Sequence, residues 1–450
     1  AFSDTGDSNK GKAVVYTGNG VVKNLTAENF IGFSDGSVTR TPVSQAVGSP
    51  VVFESAVATH VSAVHDPDQN KIIISYRDEG NSNYGTAVAG TVSGTNISFG
   101  SPVVFESANV QYTAISYDTN SDKVVISYQD NGNSAYGTSI IGSVSGTNIS
   151  FGTAVVFNSA ETISIVSAFD TSEAKVLVAY RDNGNSAYGT AIVGSVSGTG
   201  ISFGSEAVFY ATAGTLPTGA SYDSVSSTVG ILYNAYTVDQ LLCRIATISG
   251  TSVSFGTQTS NLKTSAGNTS IAAANGKFIV SYRNSSSGGV GQAIVGVLSG
   301  TSIAFGDPQE FSSNSVSFTN LAYNAAAEQI IVSYKDNDSS NDGVINAGTI
   351  SGTTISWGSN VTFASAVGAS DTMTTTYDST SKVVLVAYQN TDNSNYGTSV
   401  LFRSPYTQVD RAEISNGGNA VIQTGCAIND TQTGLTAGQQ YFVQTDGTLG

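Results

Sequence analysis

The sequence predicts an all-β protein: a seven-bladed β-propeller of four-stranded blades, closed by an N-terminal strand and inserted in a small β module. Three observations predict it. A tyrosine followed by a polar residue returns at Tyr76, Tyr128, Tyr180, Tyr233, Tyr282, Tyr334 and Tyr388, spaced 52, 52, 53, 49, 52 and 54 residues apart. Self-similarity at such a period marks one repeat architecture rather than a string of unrelated domains. Ser-Gly-Thr turns recur at Ser93, Ser145, Ser197, Ser249, Ser299 and Ser351, each followed by a segment ending in Phe99, Phe151, Phe203, Phe255, Phe305 or Trp357. The composition, with 49 glycines and only 11% charged residues, suits strands and tight turns and sustains no helical period.

The second copy shows how one repeat is built. TAISYD (Thr113 to Asp118) and KVVISYQD (Lys123 to Asp130) are β-branched runs joined by a polar turn, which is a hairpin signal. YGTSIIGSV (Tyr136 to Val144) follows the NGNSA loop, and NISFGTAVVF (Asn148 to Phe157) follows the Ser-Gly-Thr turn as one fourth strand. Glycine in that turn supplies the positive φ a tight reversal needs. Four antiparallel strands in about fifty residues make one propeller blade.

Seven tyrosine motifs meet only six Ser-Gly-Thr turns. The seventh copy stops near SVLFR (Ser399 to Arg403), while an unattached outer strand, GSPVVFES (Gly48 to Ser55), precedes the first. Placing that strand on the edge of the seventh blade closes the ring and removes an aggregation-prone edge. Residues 46–404 are therefore read as the propeller, 17–45 and 405–450 as the two parts of the small β module, and 1–16 as a partial blade-like segment. AFSDTGDSNKGKAVVY copies the turn and following strand seen at Tyr128 and starts with Ala1, as expected of a processed chain or a piece of a longer one.

Net charge is −16 with 17 Lys and Arg, so a phosphate backbone would be repelled and no nucleic-acid partner is expected. No stretch approaches the roughly 18 to 20 apolar residues of a membrane span, and no membrane insertion is expected. Cys243 and Cys426 lie far apart without ligand spacing and read as small buried hydrophobes, with a disulfide left open.

Candidate chemistry falls mostly on repeated positions. Asp-x-Gly-x-Ser turns at Asp78, Asp130 and Asp182, with a further form at Asp4, resemble the Asp-box of sialidase-type propellers, where the motif holds a turn. Arg77, Arg181 and Arg283 share a slot with Gln129, Lys335 and Gln389, which reads as a solvated strand position. Glu54 and Glu106 are equivalents, replaced by Asn158 in the third copy, and Asp66, Asp118, Asp170, Asp223 and Asp378 share one turn position. His60 and His65 are the only histidines, which argues against a His-based triad or a multi-His metal site. His65 takes an aromatic slot filled elsewhere by Tyr117, Phe169 and Tyr377. No cofactor is assigned; calcium stays open through DNDSSND (Asp336 to Asp342), although no loop has the alternating acidic calcium pattern. The fourth copy departs most from the repeat, and its AYTVDQLLCR insertion offers Tyr236, Asp239 and Arg244 as a binding patch. No catalytic residues are assigned.

NLTAENFIGFSDGSV (Asn24 to Val38), continued by GNAVIQTGCAINDTQTGLTAGQQYFVQTDGTLG (Gly418 to Gly450), resembles a small module of virion structural proteins of cyanophages and other marine tailed phages. The repeats, such as DNGNSAYGTSIIGSVSGTNISFG (Asp130 to Gly152), look like the propeller repeats of the same proteins. The resemblance implies a non-enzymatic virion component, a tail fibre, appendage or surface decoration. It implies other virion proteins and further copies of itself as partners, with host-surface or glycan attachment as its task. A glycan-degrading propeller enzyme, sialidase- or depolymerase-like, is the alternative from enzyme chemistry. An extracellular adhesin or filament subunit is the alternative from assembly.

Overall fold

The computed structural model describes residues 40–368 and 373–409, together with the strands Phe2–Asp4, Lys10–Thr17, Val21–Leu25, Ile422–Thr424 and Ala427–Asn429. The chain is all-β, with antiparallel sheets, and divides into two compact units: residues 45–404, and residues 1–44 with 405–450.

In residues 45–404 one pairing scheme returns. In the second repeat, inner residues 110–118 pair with Lys123–Asp130, which pairs with Tyr136–Ser145. The third strand then carries two outer pieces end to end, Asn148–Phe151 and residues 155–161. The sequence reads these as one strand; the break falls at Gly152. A Cβ there would meet the Thr199 carbonyl oxygen at 1.9 Å, so the next repeat's turn approaches too closely for any side chain. Val155–Asp170 continues past its outer half to become the inner strand of the third repeat.

The strands carrying the inner segments pack one on the next, from Val51–Asp66 through Val103–Asp118, Val155–Asp170, Thr215–Asp223, Ala266–Ala273 and Gln309–Asn324 to Thr374–Asp378. The last also packs on the first. Tyr396–Arg403 receives its outer partners from the start of the unit: Ala46–Val47 pairs with Phe402 and Arg403, and residues 51–57 pair with residues 396–399.

Aromatic packing explains the tyrosine repeat. All seven tyrosines are at most 1% exposed. An outer-strand phenylalanine of one repeat meets the tyrosine of the next edge-on or tilted: Phe53–Tyr76 at 5.3 Å, Phe105–Tyr128 at 5.2 Å, Phe157–Tyr180 at 5.1 Å. Such pairs add about 0.5–1.5 kcal/mol each beyond the area they bury. The same phenylalanine explains the glycine of the Tyr-Gly pair that opens the third strand. A Cβ on Gly137 would lie 2.5 Å from the Phe157 ring, and one on Gly85 2.4 Å from Phe105. The Ser-Gly-Thr glycines act differently, since Gly94, Gly146 and Gly198 hold φ of 64°, 61° and 61° with open space around them.

The first six inner strands also carry a register shift that the sequence does not announce. It falls between Thr59 and Ser62, Gln111 and Ala114, Ile163 and Val166, Gly267 and Ser270, and Ser317 and Asn320. His60, Tyr112, Ser164, Asn268 and Phe318 sit there at φ of 49° to 54°, a conformation that costs non-glycine residues about 1–3 kcal/mol each. The neighbouring repeat holds some of them: Thr319 Oγ1 donates to the Asn268 carbonyl at 2.5 Å, and Thr113 donates likewise to His60. Pro217 takes this slot in the fourth repeat, where the shift is shorter.

In the other unit, Arg40–Val43 pairs with Tyr406–Val409, Phe2–Asp4 with Lys10–Thr17, and that strand with Val21–Leu25. Asp4 pairs with Lys10 at the separation by which Asp130 pairs with Tyr136. Most of the small module expected from 17–45 and 405–450, Cys426 included, lies outside the described residues.

Candidate functional site

Two ends of each repeat can be distinguished. One carries the loops between second and third strands; the other carries the turns after the inner strands and the Ser-Gly-Thr turns. The chain leaves residues 45–404 at the turn end, where Ser404 Oγ accepts from Asn324 Nδ2 at 2.8 Å. The loop end is therefore free of that connection.

The Asp-x-Gly-x-Ser loops are short 3-10 turns. Asp130 Oδ1 accepts from Gly132 N at 2.9 Å and Asn133 N at 3.2 Å, and Asp182 does the same for its loop. The serines contribute backbone shape: Ser82, Ser134 and Ser186 are left-handed at φ 56°, 56° and 57°. The glycine admits its neighbour, because a Cβ on Gly132 would lie 2.4 Å from the Ala108 methyl. These loops spend their carboxylates on the fold.

The slot after each tyrosine holds an N–H donor in all seven repeats: Arg77, Gln129, Arg181, Asn234, Arg283, Lys335 and Gln389. Four of the chain's 17 basic residues stand here. The expected solvated position is in fact half-buried or buried, with Arg77 19% exposed and Gln129 3%, because the slot pairs with the inner strand next to its register shift. Arg77 Nη2 reaches Glu79 Oε1 at 2.5 Å, and Arg283 reaches Ser285 Oγ at 3.0 Å. Lys335 lies 5.7 Å from the Phe318 ring centre, and burial pulls its ammonium below the usual lysine range. The Nε of Arg77, Arg181 and Arg283 is buried and has no hydrogen-bond partner among the described residues.

The fourth-repeat patch does not converge through its hydrogen bonds. Tyr236 is 65% exposed in the loop. Asp239 accepts from Ser265 N at 3.0 Å and Ser265 Oγ at 2.8 Å, tying its loop to the next repeat. Arg244 lies farther along the third strand, donating Nε to the Gly256 carbonyl at 3.1 Å and Nη1 to the Phe209 carbonyl, with Phe255 under its guanidinium. Its hydrogen bonds join backbone segments.

Glu54 and Glu106 accept from the Tyr76 and Tyr128 hydroxyls at 2.8 and 3.1 Å. Burial, with the nearby Asp78 and Asp130 charges, holds both carboxyls above the usual range. In the third repeat, where Asn158 replaces the glutamate, Glu206 reaches Tyr180 at 2.7 Å instead, and Asn158 Nδ2 donates to Asp182 Oδ1 at 3.2 Å. In the DNDSSND segment, Asp336 accepts from Asp338 N and Asn314 Nδ2, and Asp338 from Ser315 N. Among the described residues no three His, Cys, Asp or Glu side chains gather as a metal site. Cys243 is buried and free, and burial pushes its thiol up to about 12.

His65 does more than fill an aromatic slot. Its Nε2 lies 3.0 Å from Asp378 Oδ1 and its Nδ1 3.3 Å from Ser379 Oγ, joining the first inner strand to the last repeat. Serine, imidazole and carboxylate thus meet despite the scarcity of histidine. Asp378 Oδ1 also accepts from Thr380 N and Ser381 N, so the amides beside Ser379 serve the carboxylate instead of an oxyanion. This geometry suits a turn and a seam better than acyl transfer.

Between the inner strands lies a cavity of about 730 Å³, lined by residues of all seven repeats. Tyr117, Phe169, Tyr222, Tyr323 and Tyr377, with His65, border it towards the turn end. The fifth repeat puts Ala273 in that aromatic slot.

No family model matches the chain, and no curated protein sequence matches it. Among solved structures, the fold is similar to that of the BP39L lectin from Burkholderia pseudomallei. The TM-score is 0.54 at 9% identity, over 79% of this chain and 99% of that one. At that identity the likeness is one of fold: this chain has an all-β architecture of repeated antiparallel units like that of the lectin.

Proposed function

We propose that residues 46–404 form a closed seven-bladed β-propeller carried on a small β module built from residues 17–45 and 405–450. We propose further that the chain is a non-enzymatic virion protein, a tail-fibre, appendage or surface-decoration component. It assembles with other virion proteins and with copies of itself, and its loop end attaches to host-surface glycan. The packing of the last inner strand on the first, and the outer strand supplied by residues 51–57, support the closed ring.

The observation that carries the attachment reading is the slot after the tyrosines. It keeps an N–H donor in seven of seven repeats, at the end from which the chain does not exit. A ring of N–H donors suits the acceptor oxygens of sugar hydroxyls. The fold likeness to a lectin agrees with this reading, and the resemblance of the repeats and flanks to marine phage structural proteins supports a place on a virion. The test is mass spectrometry and imaging of purified particles. The chain should be recovered with them at a fixed stoichiometry and as an external density. Its recovery only from host extracts, and never with particles, would reject the virion assignment.

A further inference from the structure

We propose that the cavity between the inner strands is a binding site for the uncharged, polyhydroxylated end of a glycan chain. This rests on the glycan-attachment reading, names the ligand class and adds the cavity to the loop end as a place of contact. The volume of about 730 Å³ falls within the roughly 300–1,000 Å³ of small-ligand sites.

The lining excludes charge. Among its residues there is no Asp, Glu, Lys or Arg, and His65 is already engaged by Asp378. A sulfate or uronate brought here would lose its water without meeting a counter-charge, inside a chain of net charge −16. An uncharged sugar meets neither cost.

The lining also offers hydrogen bonds that the protein leaves unmade. Thr215–Asp223, Ala266–Ala273 and Thr374–Asp378 each pair with one strand only, so their second edges present backbone N–H and C=O groups towards the cavity. Neighbouring serines meet some of these: Ser221 Oγ accepts from Ala273 N at 2.9 Å, and Ser270 Oγ from Leu321 N at 3.1 Å. Ser116 holds in the second repeat the slot of Ser221 in the fourth. It borders the cavity at 5% exposure, yet its Oγ has no hydrogen-bond partner among the described residues. The Ser167 Oγ, also on the lining, is in the same condition. The fold does not require these hydroxyls, since Val64 and Ala168 take the Ser116 slot in adjacent repeats and Ala63 takes that of Ser167. Buried hydroxyls ordinarily find a partner, and a ligand hydroxyl is one.

Aromatic rings bordering the turn end supply the apolar, polar-tipped surface on which the C–H face of a sugar can lie. The gap at Ala273 breaks the sevenfold repetition and gives a ligand one preferred orientation.

The experiment titrates the whole chain calorimetrically with uncharged gluco-, galacto- and manno-oligosaccharides and with their sulfated or uronate counterparts. The variants are Ser116→Val with Ser167→Ala, which copy other repeats and should fold, and Ala273→Tyr, which completes the aromatic border. Expected are binding of an uncharged oligosaccharide, about tenfold weakening on losing the two hydroxyls, loss of binding in Ala273→Tyr, and unchanged melting temperatures. Unchanged affinity in both variants, or preference for the charged sugars, overturns the cavity site. If binding then falls in Arg181→Gln, glycan attachment stands at the loop end alone; if no sugar binds at all, both readings fall.

Discussion

Tyr76 and Tyr282 hold one repeat position and are both fully buried, but the same substitution should act oppositely on them. The Tyr76 hydroxyl donates to Glu54 Oε2 at 2.8 Å. The Tyr282 hydroxyl is buried without a partner among the described residues, and burial pushes its phenol up to about 12. Phenylalanine at either position removes one oxygen and keeps the ring. At position 76 a hydrogen bond to a charged group is lost, worth about 1.5–3 kcal/mol when fully desolvated. Glu54 is only partly buried and regains water, which leaves a loss of about 1 kcal/mol. At position 282 a hydroxyl stripped of water and given nothing in exchange disappears, so the change lies between zero and a gain of about 1 kcal/mol. Urea denaturation read from the midpoint at constant slope measures both. Equal losses for Tyr76→Phe and Tyr282→Phe would refute the reasoning, because they would require a hydrogen-bonded hydroxyl at 282.

Three further outcomes are expected. His65→Phe installs the residue that fills the slot as Phe169 but strands the buried Asp378 carboxylate, costing about 3 kcal/mol in a neutral-pH melt; a neutral effect would return His65 to simple packing. The His65 contact helps hold the Asp378 carboxyl below the usual range, so that stabilisation is present above the unfolded pKa and lost as pH falls through the folded one. Glu106 is shifted the other way: its contribution is full below the unfolded pKa and is lost as pH rises through the folded one. Glu106→Gln should therefore match the parent near pH 4 and gain on it towards pH 7, and parallel stability curves would contradict this. Gly137→Ala drives a methyl to 2.5 Å from the Phe157 ring and should lose about 1–3 kcal/mol in denaturant; a silent substitution would show that the outer strand yields freely.

What was legible in the sequence follows from what the fold repeats. Gly137, Phe157 and Tyr180 form one packed set, so the strands, the turn glycines and the blade-like unit could be read from their spacing. The turn roles of Asp118 and Asp130 were legible for the same reason, each binding backbone a few residues away. What could not be read lies across repeats. His65 and Asp378 are over three hundred residues apart, and the exchange of Glu206 for the glutamate missing at Asn158 depends on which strand edge faces which tyrosine. The left-handed positions carry His60, Tyr112 and Phe318, none of them a residue whose type announces such a backbone. The slot of Arg77 and Lys335 looked solvated because it varied, yet it varies only among N–H donors, a constraint visible once burial is known. For the patch at Tyr236, Asp239 and Arg244, departure from the repeat located an exposed tyrosine, while Arg244 serves the backbone.

The decisive measurement incubates the whole chain with host-surface glycans and uncharged oligosaccharides, following bound sugar and new reducing ends in the same samples. A non-enzymatic attachment propeller gives saturable binding with every sugar recovered intact. Release of new reducing ends, or no binding to any glycan, would contradict it.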